Sequence, residues 1–89
     1  MTDVPPTTHL VALTVEGAQA TLTLSRPDKF NALNVAMINE LIELLEWTAD
    51  RSAGRKDALH DAKGDPYFRT LVLAGEGRHF CAGADINMM

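Results

Sequence analysis

Residues 69–85, RTLVLAGEGRHFCAGAD, decide how this chain is read. Leu71, Val72 and Leu73 form a short apolar run suited to a strand covered on both faces, as in a parallel sheet with helices outside. A buried strand is therefore expected from Arg69 to Ala74. That strand delivers the chain into Gly75-Glu76-Gly77-Arg78-His79-Phe80-Cys81-Ala82-Gly83-Ala84-Asp85, where glycines and small alanines let main-chain amides approach a ligand without an intervening side chain. A turn of this kind, just past the carboxyl end of a strand, is where α/β proteins place ligand sites. The same composition also suits a plain strand-to-helix turn whose glycines only permit positive φ, and neither the P-loop spacing nor the GxGxxG spacing is present.

Upstream, HLVALTVE (residues 9–16) reads as a strand with Val11, Leu13 and Val15 on one side and Leu10 and Ala12 on the other. Ala20 to Ser25 alternates, with Ala20, Leu22 and Leu24 against Thr21, Thr23 and Ser25, and the turn-prone Glu16-Gly17-Ala18-Gln19 joins the two as a hairpin. Arg26-Pro27-Asp28 ends the second strand because proline lacks a ladder amide, and a loop follows from Lys29 to Leu33. Asn34 is placed to cap a helix in which Ile38, Leu41, Ile42 and Leu45 recur at three- and four-residue spacing, with Asn39, Glu40, Glu43 and Glu46 outward. The helix is expected to run to about Arg51 and stop at Gly54, with Met37 and Trp47 in packing roles. The charged stretch from Arg55 to Pro66 reads as a surface excursion. Strand, strand, helix, strand is an α/β order, and a sheet of three strands leaves an edge that needs a partner or more chain.

Composition narrows the function classes. Eighty-nine residues leave room for one small domain or part of a larger one. A hydrophobic fraction of 46% with 22% charged residues is that of a folding chain, not a disordered one. The net charge of −4 provides no basic field for nucleic acid. The single cysteine, Cys81, cannot make an internal disulfide, so a reducing, cytoplasmic setting is expected. Residues 1–8 are polar, carry Pro5 and Pro6, and read as a flexible tail rather than a secretion signal. No window approaches the roughly 18 apolar residues of a membrane span.

Side-chain chemistry is sparse. His79 and Cys81 stand two apart and would point the same way in an extended segment, but no third ligand lies near in sequence, so no metal is assigned. A buried thiol is commonly a small hydrophobe. Asp85 is the one acid within the glycine-rich segment and suits a helix cap equally well. No acid/base pair of carboxylates stands out.

Two segments together carry a family resemblance. Arg26-Pro27-Asp28-Lys29-Phe30-Asn31-Ala32-Leu33-Asn34 resembles the RPxxxNALN segment of the enoyl-CoA hydratase/isomerase (crotonase) family. Leu71 to Ile86 is similar to that family's VVLTGxGxxFCAGADI segment. The likeness covers about residues 10–53 and 65–89, with a longer, charged insertion at about 54–66. It implies the amino-terminal part of a crotonase-like α/β fold over residues 9–89. The reaction it implies is reversible hydration, or isomerisation, of an α,β-unsaturated acyl-CoA. GAD at Gly83 to Asp85 favours hydratases and isomerases over the hydroxyacyl-CoA hydrolases, which tend to carry GGD.

Carried over residue by residue, the resemblance makes the Ala82 main-chain N–H an oxyanion donor to the thioester oxygen. Lys29, Phe30 and Ala32 would line the coenzyme A channel, Gly83, Ala84, Asp85 and Ile86 would meet the coenzyme largely through main-chain groups, and Arg78 would reach a phosphate. Neither metal nor redox cofactor is implied, coenzyme A being part of the substrate. Self-association as trimers or hexamers of the parent enzyme is expected by the same likeness. The family's two catalytic glutamates and its second oxyanion amide come from later segments. A non-catalytic module that binds coenzyme A weakly, or docks on a full-length relative, is the competing expectation.

Overall fold

A computed structural model describes residues 4–53, 59–60, 64 and 67–84. Strand β1 (Val11–Glu16) and strand β2 (Gln19–Leu24) form the expected hairpin, antiparallel, with Val11 opposite Leu24 and Glu16 opposite Gln19. Gly17 sits at φ 56° in the connection, a left-handed position that glycine takes without steric cost. After a 3-10 turn at Pro27–Lys29 comes helix α1 (Val35–Ala49), and then strand β3 (Thr70–Gly75). β3 pairs with β2 in parallel, Leu22 opposite Leu73, so β2 is the centre of a sheet ordered β1-β2-β3. Two parallel strands need a long crossover, and α1 supplies it.

Asn34 begins the helix as its sequence position suggests. Its backbone is extended and its Oδ1 accepts the Met37 N–H at 2.8 Å, a cap contributing about 1 kcal/mol. The helix stops at Ala49, two residues before the expected end, with Asp50 as C-cap. Gly54, the expected stop, lies outside the described residues, as does most of the charged excursion. Its flanks are pinned together: Ser52 bridges Phe68, and the Ala53 N–H donates to the Phe68 carbonyl at 2.7 Å. The Trp47 ring packs against Phe68 at 5.9 Å, and the Arg51 guanidinium lies 4.2 Å from the Trp47 centroid.

The core is Val11, Leu22, Leu24, Met37 and Leu44. The helix face differs from the expected one. Met37, Leu44 and Thr48 are buried, Leu41 and Leu45 pack beside them, and Ile42 is 47% exposed. Positions 37, 41, 44 and 48 share one helical stripe as fully as 38, 41, 42 and 45 do, so spacing alone does not choose between them. Thr48 tolerates burial because its hydroxyl donates to the Leu44 carbonyl at 2.9 Å, satisfying it within the helix.

β3 also departs from expectation. Leu71 and Leu73 are 43% and 50% exposed. Their parallel partners Ala20 and Leu22 are fully buried under the helix, and partners across a ladder share a face. The helix lies over β1 and β2, and its cover does not extend to the third strand.

Glu40 is the clearest correction. Instead of facing solvent, its Oε1 accepts three successive main-chain N–H groups, from His9 at 2.9 Å, Leu10 at 2.7 Å and Val11 at 3.1 Å. One helix carboxylate thus fastens the start of β1, satisfying donors that precede the ladder. Partial burial pushes the Glu40 pKa up, but the three donors and the neighbouring His9 charge outweigh it and hold the carboxyl below its ordinary value. A carboxyl whose pKa is depressed on folding stabilises the fold above its unfolded pKa, and that contribution is lost as pH falls through the folded one. Acid titration followed by circular dichroism is therefore expected to show wild type losing stability below about pH 4.3 more steeply than Glu40→Gln. Parallel acid limbs would remove this role.

Candidate functional site

Two loops meet at the carboxyl ends of β2 and β3. The first runs from Arg26 to Leu33. Within it the N–H groups of Lys29 and Asn31 donate to the Arg26 carbonyl at 2.9 and 2.8 Å, and the Arg26 guanidinium donates to the Ala32 carbonyl at 2.6 Å. Phe30 and Asn31 follow one another in the left-handed region at φ 54° and 59°, conformations that non-glycine residues rarely adopt without outside support.

The second loop runs from Gly75 to Ala84. The Glu76 N–H extends the ladder by donating to the Leu24 carbonyl at 2.8 Å, and the Glu76 carboxylate accepts the Ser25 hydroxyl. At Gly75 the chain folds back so closely that a Cβ would stand 2.4 Å from the Phe80 carbonyl oxygen. Gly77 and Gly83 take φ 83° and 103°.

Main-chain bonds join the loops. The Ala82 N–H donates to the Phe30 carbonyl at 3.0 Å, the Leu33 N–H donates to the Gly83 carbonyl at 2.7 Å, and Leu33 and Ala84 form a parallel bridge. Their outer edges meet through His79, whose ring stands edge-on to Phe30 at 4.8 Å. The link that sequence reasoning missed is Asn31. Fully buried, it accepts the Arg26 N–H on Oδ1 at 2.8 Å and donates from Nδ2 to the carbonyls of Glu76 at 2.9 Å and His79 at 2.7 Å. The available signal was an asparagine in a loop, since its short amide side chain tolerates left-handed backbone. Its burial is not written in the sequence.

The structure brings Lys29, Phe30 and Ala32 on the first loop alongside Arg78, Ala82, Gly83 and Ala84 on the second. Lys29, Phe30, Arg78, Ala82, Gly83 and Ala84 are exposed and Ala32 is half-buried. Asp85 and Ile86 lie outside the described residues. The Ala82 N–H, expected as the oxyanion donor, is engaged between the two loops. The left-handed pair at Phe30 and Asn31 turns the Phe30 carbonyl onto the Ala82 N–H, which cannot serve a ligand oxygen while that bond is made. In a parallel bridge the central residue's own N–H points away from its partner. The Ala84 N–H is thus directed away from Leu33, and it has no partner among the described residues.

His79 and Cys81 do not form a pair. His79 packs on Phe30, whereas Cys81 turns inward against the core, its Sγ accepting the Gly83 N–H at 3.4 Å. Among the described residues no group of three or more His, Cys, Asp or Glu side chains is placed to hold a metal ion, and no helix is long and apolar enough to cross a membrane. Beside Cys81 lies an apolar cavity of about 190 Å³, lined by Leu24, Leu33, Leu41, Leu73, Phe80 and Cys81. The arrangement offers two cations at a loop rim, a row of main-chain groups and an apolar recess. These suit an elongated ligand with an anionic end and a polarisable carbonyl.

Comparison with known proteins bears on that chemistry. The family model described as enoyl-CoA hydratase/isomerase matches residues 14–89. The chain is 40% identical over 78 residues to a probable enoyl-CoA hydratase from Rhodobacter capsulatus, covering 88% of this chain and 24% of that protein. It is 37% identical over 73 residues to the 1,2-epoxyphenylacetyl-CoA isomerase of Escherichia coli, covering 82% and 22% respectively. The crystal structure of an enoyl-CoA hydratase from Shewanella pealeana superposes with a TM-score of 0.69 at 33% identity, over 91% of this chain and 25% of that one. The chain thus spans about a quarter of the length of these relatives.

Proposed function

Because the chain belongs to the enoyl-CoA hydratase/isomerase family, we propose that its two loops form the thioester-binding part of a site for α,β-unsaturated acyl-CoA, whose parent reaction is reversible hydration or isomerisation. Its sheet and helix correspond to an amino-terminal part of the crotonase fold. One relative is named for a hydratase and another for an epoxide isomerase, and the common element in those names is a coenzyme A thioester. What both reactions require is a place to hold the thioester oxygen as charge develops on it. A preorganised main-chain N–H supplies that, stabilising the enolate-like state more than the bound substrate.

The observation that carries this reading is the Ala84 N–H at the junction of the two loops, directed away from Leu33 and without a partner among the described residues. It stands two residues beyond Ala82, past the turn at Gly83, and takes over the donor role expected of Ala82. Lys29 and Arg78 on the exposed rim provide positive charge for the coenzyme's phosphates. Among the described site residues the acids are Asp28 and Glu76, and Glu76 is held by Ser25. Neither forms a facing carboxylate pair of the kind that moves protons to and from water. In this reading the two loops bind and polarise the thioester rather than move its protons.

Calorimetry with crotonyl-CoA tests the assignment. Ala84→Pro removes an N–H that is not used in the bridge to Leu33, so the loop contact survives while the ligand loses a donor, and affinity should fall about fivefold to tenfold. Ala82→Pro should act through the loops instead, loosening the bond to Phe30 and changing the circular dichroism or thermal midpoint. A larger affinity loss at Ala82 with the fold intact would return the donor role to that residue. Failure of the wild-type chain to bind crotonyl-CoA would remove the reading, and measurable hydration would show that residues outside these two loops move the protons.

A further inference from the structure

We propose that Asn31 is the positioning residue of this site: its amide clamps the Arg26–Leu33 loop to the glycine-rich loop and so fixes where the Cys81–Ala84 main chain presents its N–H groups. The inference rests on the acyl-CoA reading for its functional meaning and on the hydrogen bonds for its physical content.

Every hydrogen-bonding direction used by the side chain crosses a structural joint. Oδ1 takes the Arg26 N–H, closing the first loop on itself across five residues. The two Nδ2 hydrogens go to the carbonyls of Glu76 and His79, at either end of the tight turn in the second loop. The residue is fully buried, so water does not substitute for these bonds and their geometry is set by the side chain alone. Its main-chain N–H is committed to the Arg26 carbonyl at 2.8 Å, which fixes the direction of the preceding peptide. That peptide carries the Phe30 carbonyl, the acceptor of the Ala82 N–H. The second loop is therefore held twice, at Glu76 and His79 by the Asn31 amide and at Ala82 by the peptide that Asn31 orients. Ala84 follows two residues later. Asn31 touches neither the proposed ligand nor a reacting atom; it acts through the backbone that does.

The donor role separates from mere filling of space by the order of two substitutions. Asn31→Asp keeps the shape but sets a carboxylate against two carbonyl oxygens. Asn31→Gly removes the side chain while accepting φ 59° without strain. A space-filling role makes the glycine variant the worse of the two; a clamp built on the two N–H donors makes the aspartate variant at least as damaging. Amide hydrogen exchange on the full chain reads this directly. In both variants the Ala82 amide should exchange at least tenfold faster, while the amides of Leu22 and its neighbours in the central strand keep their protection. Crotonyl-CoA affinity should fall at least tenfold in parallel. Ala82 protection within twofold of wild type in Asn31→Asp would overturn the proposal. So would global loss of strand protection in both variants, which would make Asn31 a general stability residue. If wild type fails to bind crotonyl-CoA while the exchange pattern appears as expected, the acyl-CoA reading falls and the clamp stands.

Discussion

Replacing Gly75 by alanine is expected to displace the glycine-rich loop and cost about 2–4 kcal/mol, the sum of overpacking and at least one broken hydrogen bond. The added Cβ would stand 2.4 Å from the Phe80 carbonyl oxygen, 2.6 Å from the Phe80 Cα and 2.7 Å from the His79 carbonyl oxygen. All three are main-chain atoms, so no side chain can rotate away to make room. Neither partner is free to move. The His79 carbonyl is held at 2.7 Å by Asn31. On the other side Gly75 closes the β3 ladder opposite Leu24, and the next N–H is bonded to the Leu24 carbonyl at 2.8 Å. The strain must be relieved by opening the turn, which carries Phe80 to Ala84 with it. Urea denaturation should show the stability loss, and crotonyl-CoA affinity should fall further than the unfolded fraction explains. Gly17→Ala is the control: a Cβ there meets nothing within 4 Å, and only the φ of 56° is penalised, by about 1–2 kcal/mol. Equal losses at the two glycines would show that the close approach at Gly75 relaxes easily.

Much of the frame is legible in the sequence because its signals are local. Alternation from Ala20 to Leu24, a glycine in the turn and an asparagine before the helix each act within a few residues, and each appears where expected. What failed to show depends on partners distant along the chain. Glu40 looks like one more acid on a solvated face, and only its meeting with the main chain some thirty residues upstream makes it a fastening. Asn31 likewise gains its role from carbonyls more than forty residues downstream. The two loops lie side by side as expected, but which N–H of Cys81–Ala84 is left outside the bonds between them turns on which one the Phe30 carbonyl captures. That depends on two consecutive left-handed residues, a conformation that Phe30 gives no sign of adopting.

The same limit governs the strands, and it yields the second large expected effect. Leu22 and Leu73 are both leucines in apolar strand segments, and they stand opposite each other in the parallel ladder. Leu22 is fully buried between the sheet and α1, whereas Leu73 is 50% exposed at the rim of the apolar cavity. Leu22→Ala should therefore cost about 2–5 kcal/mol, the transfer of the lost methyls plus the cavity they leave. Against a total stability of order 5 kcal/mol for so small a domain, that leaves much of the chain unfolded without denaturant. Leu73→Ala removes the same atoms from a half-solvated position and should shift the urea midpoint by no more than about 1 kcal/mol in equivalent stability. The contrast turns chiefly on burial, since residue type and secondary structure are matched and the two residues stand opposite each other, Leu22 in the central strand and Leu73 in an outer one. A comparable loss at both positions would mean that the β3 face is covered in solution. Concentration-dependent unfolding of the Leu73 variant would then identify a second copy of the chain as the cover, because only an association between chains makes stability depend on how many are present.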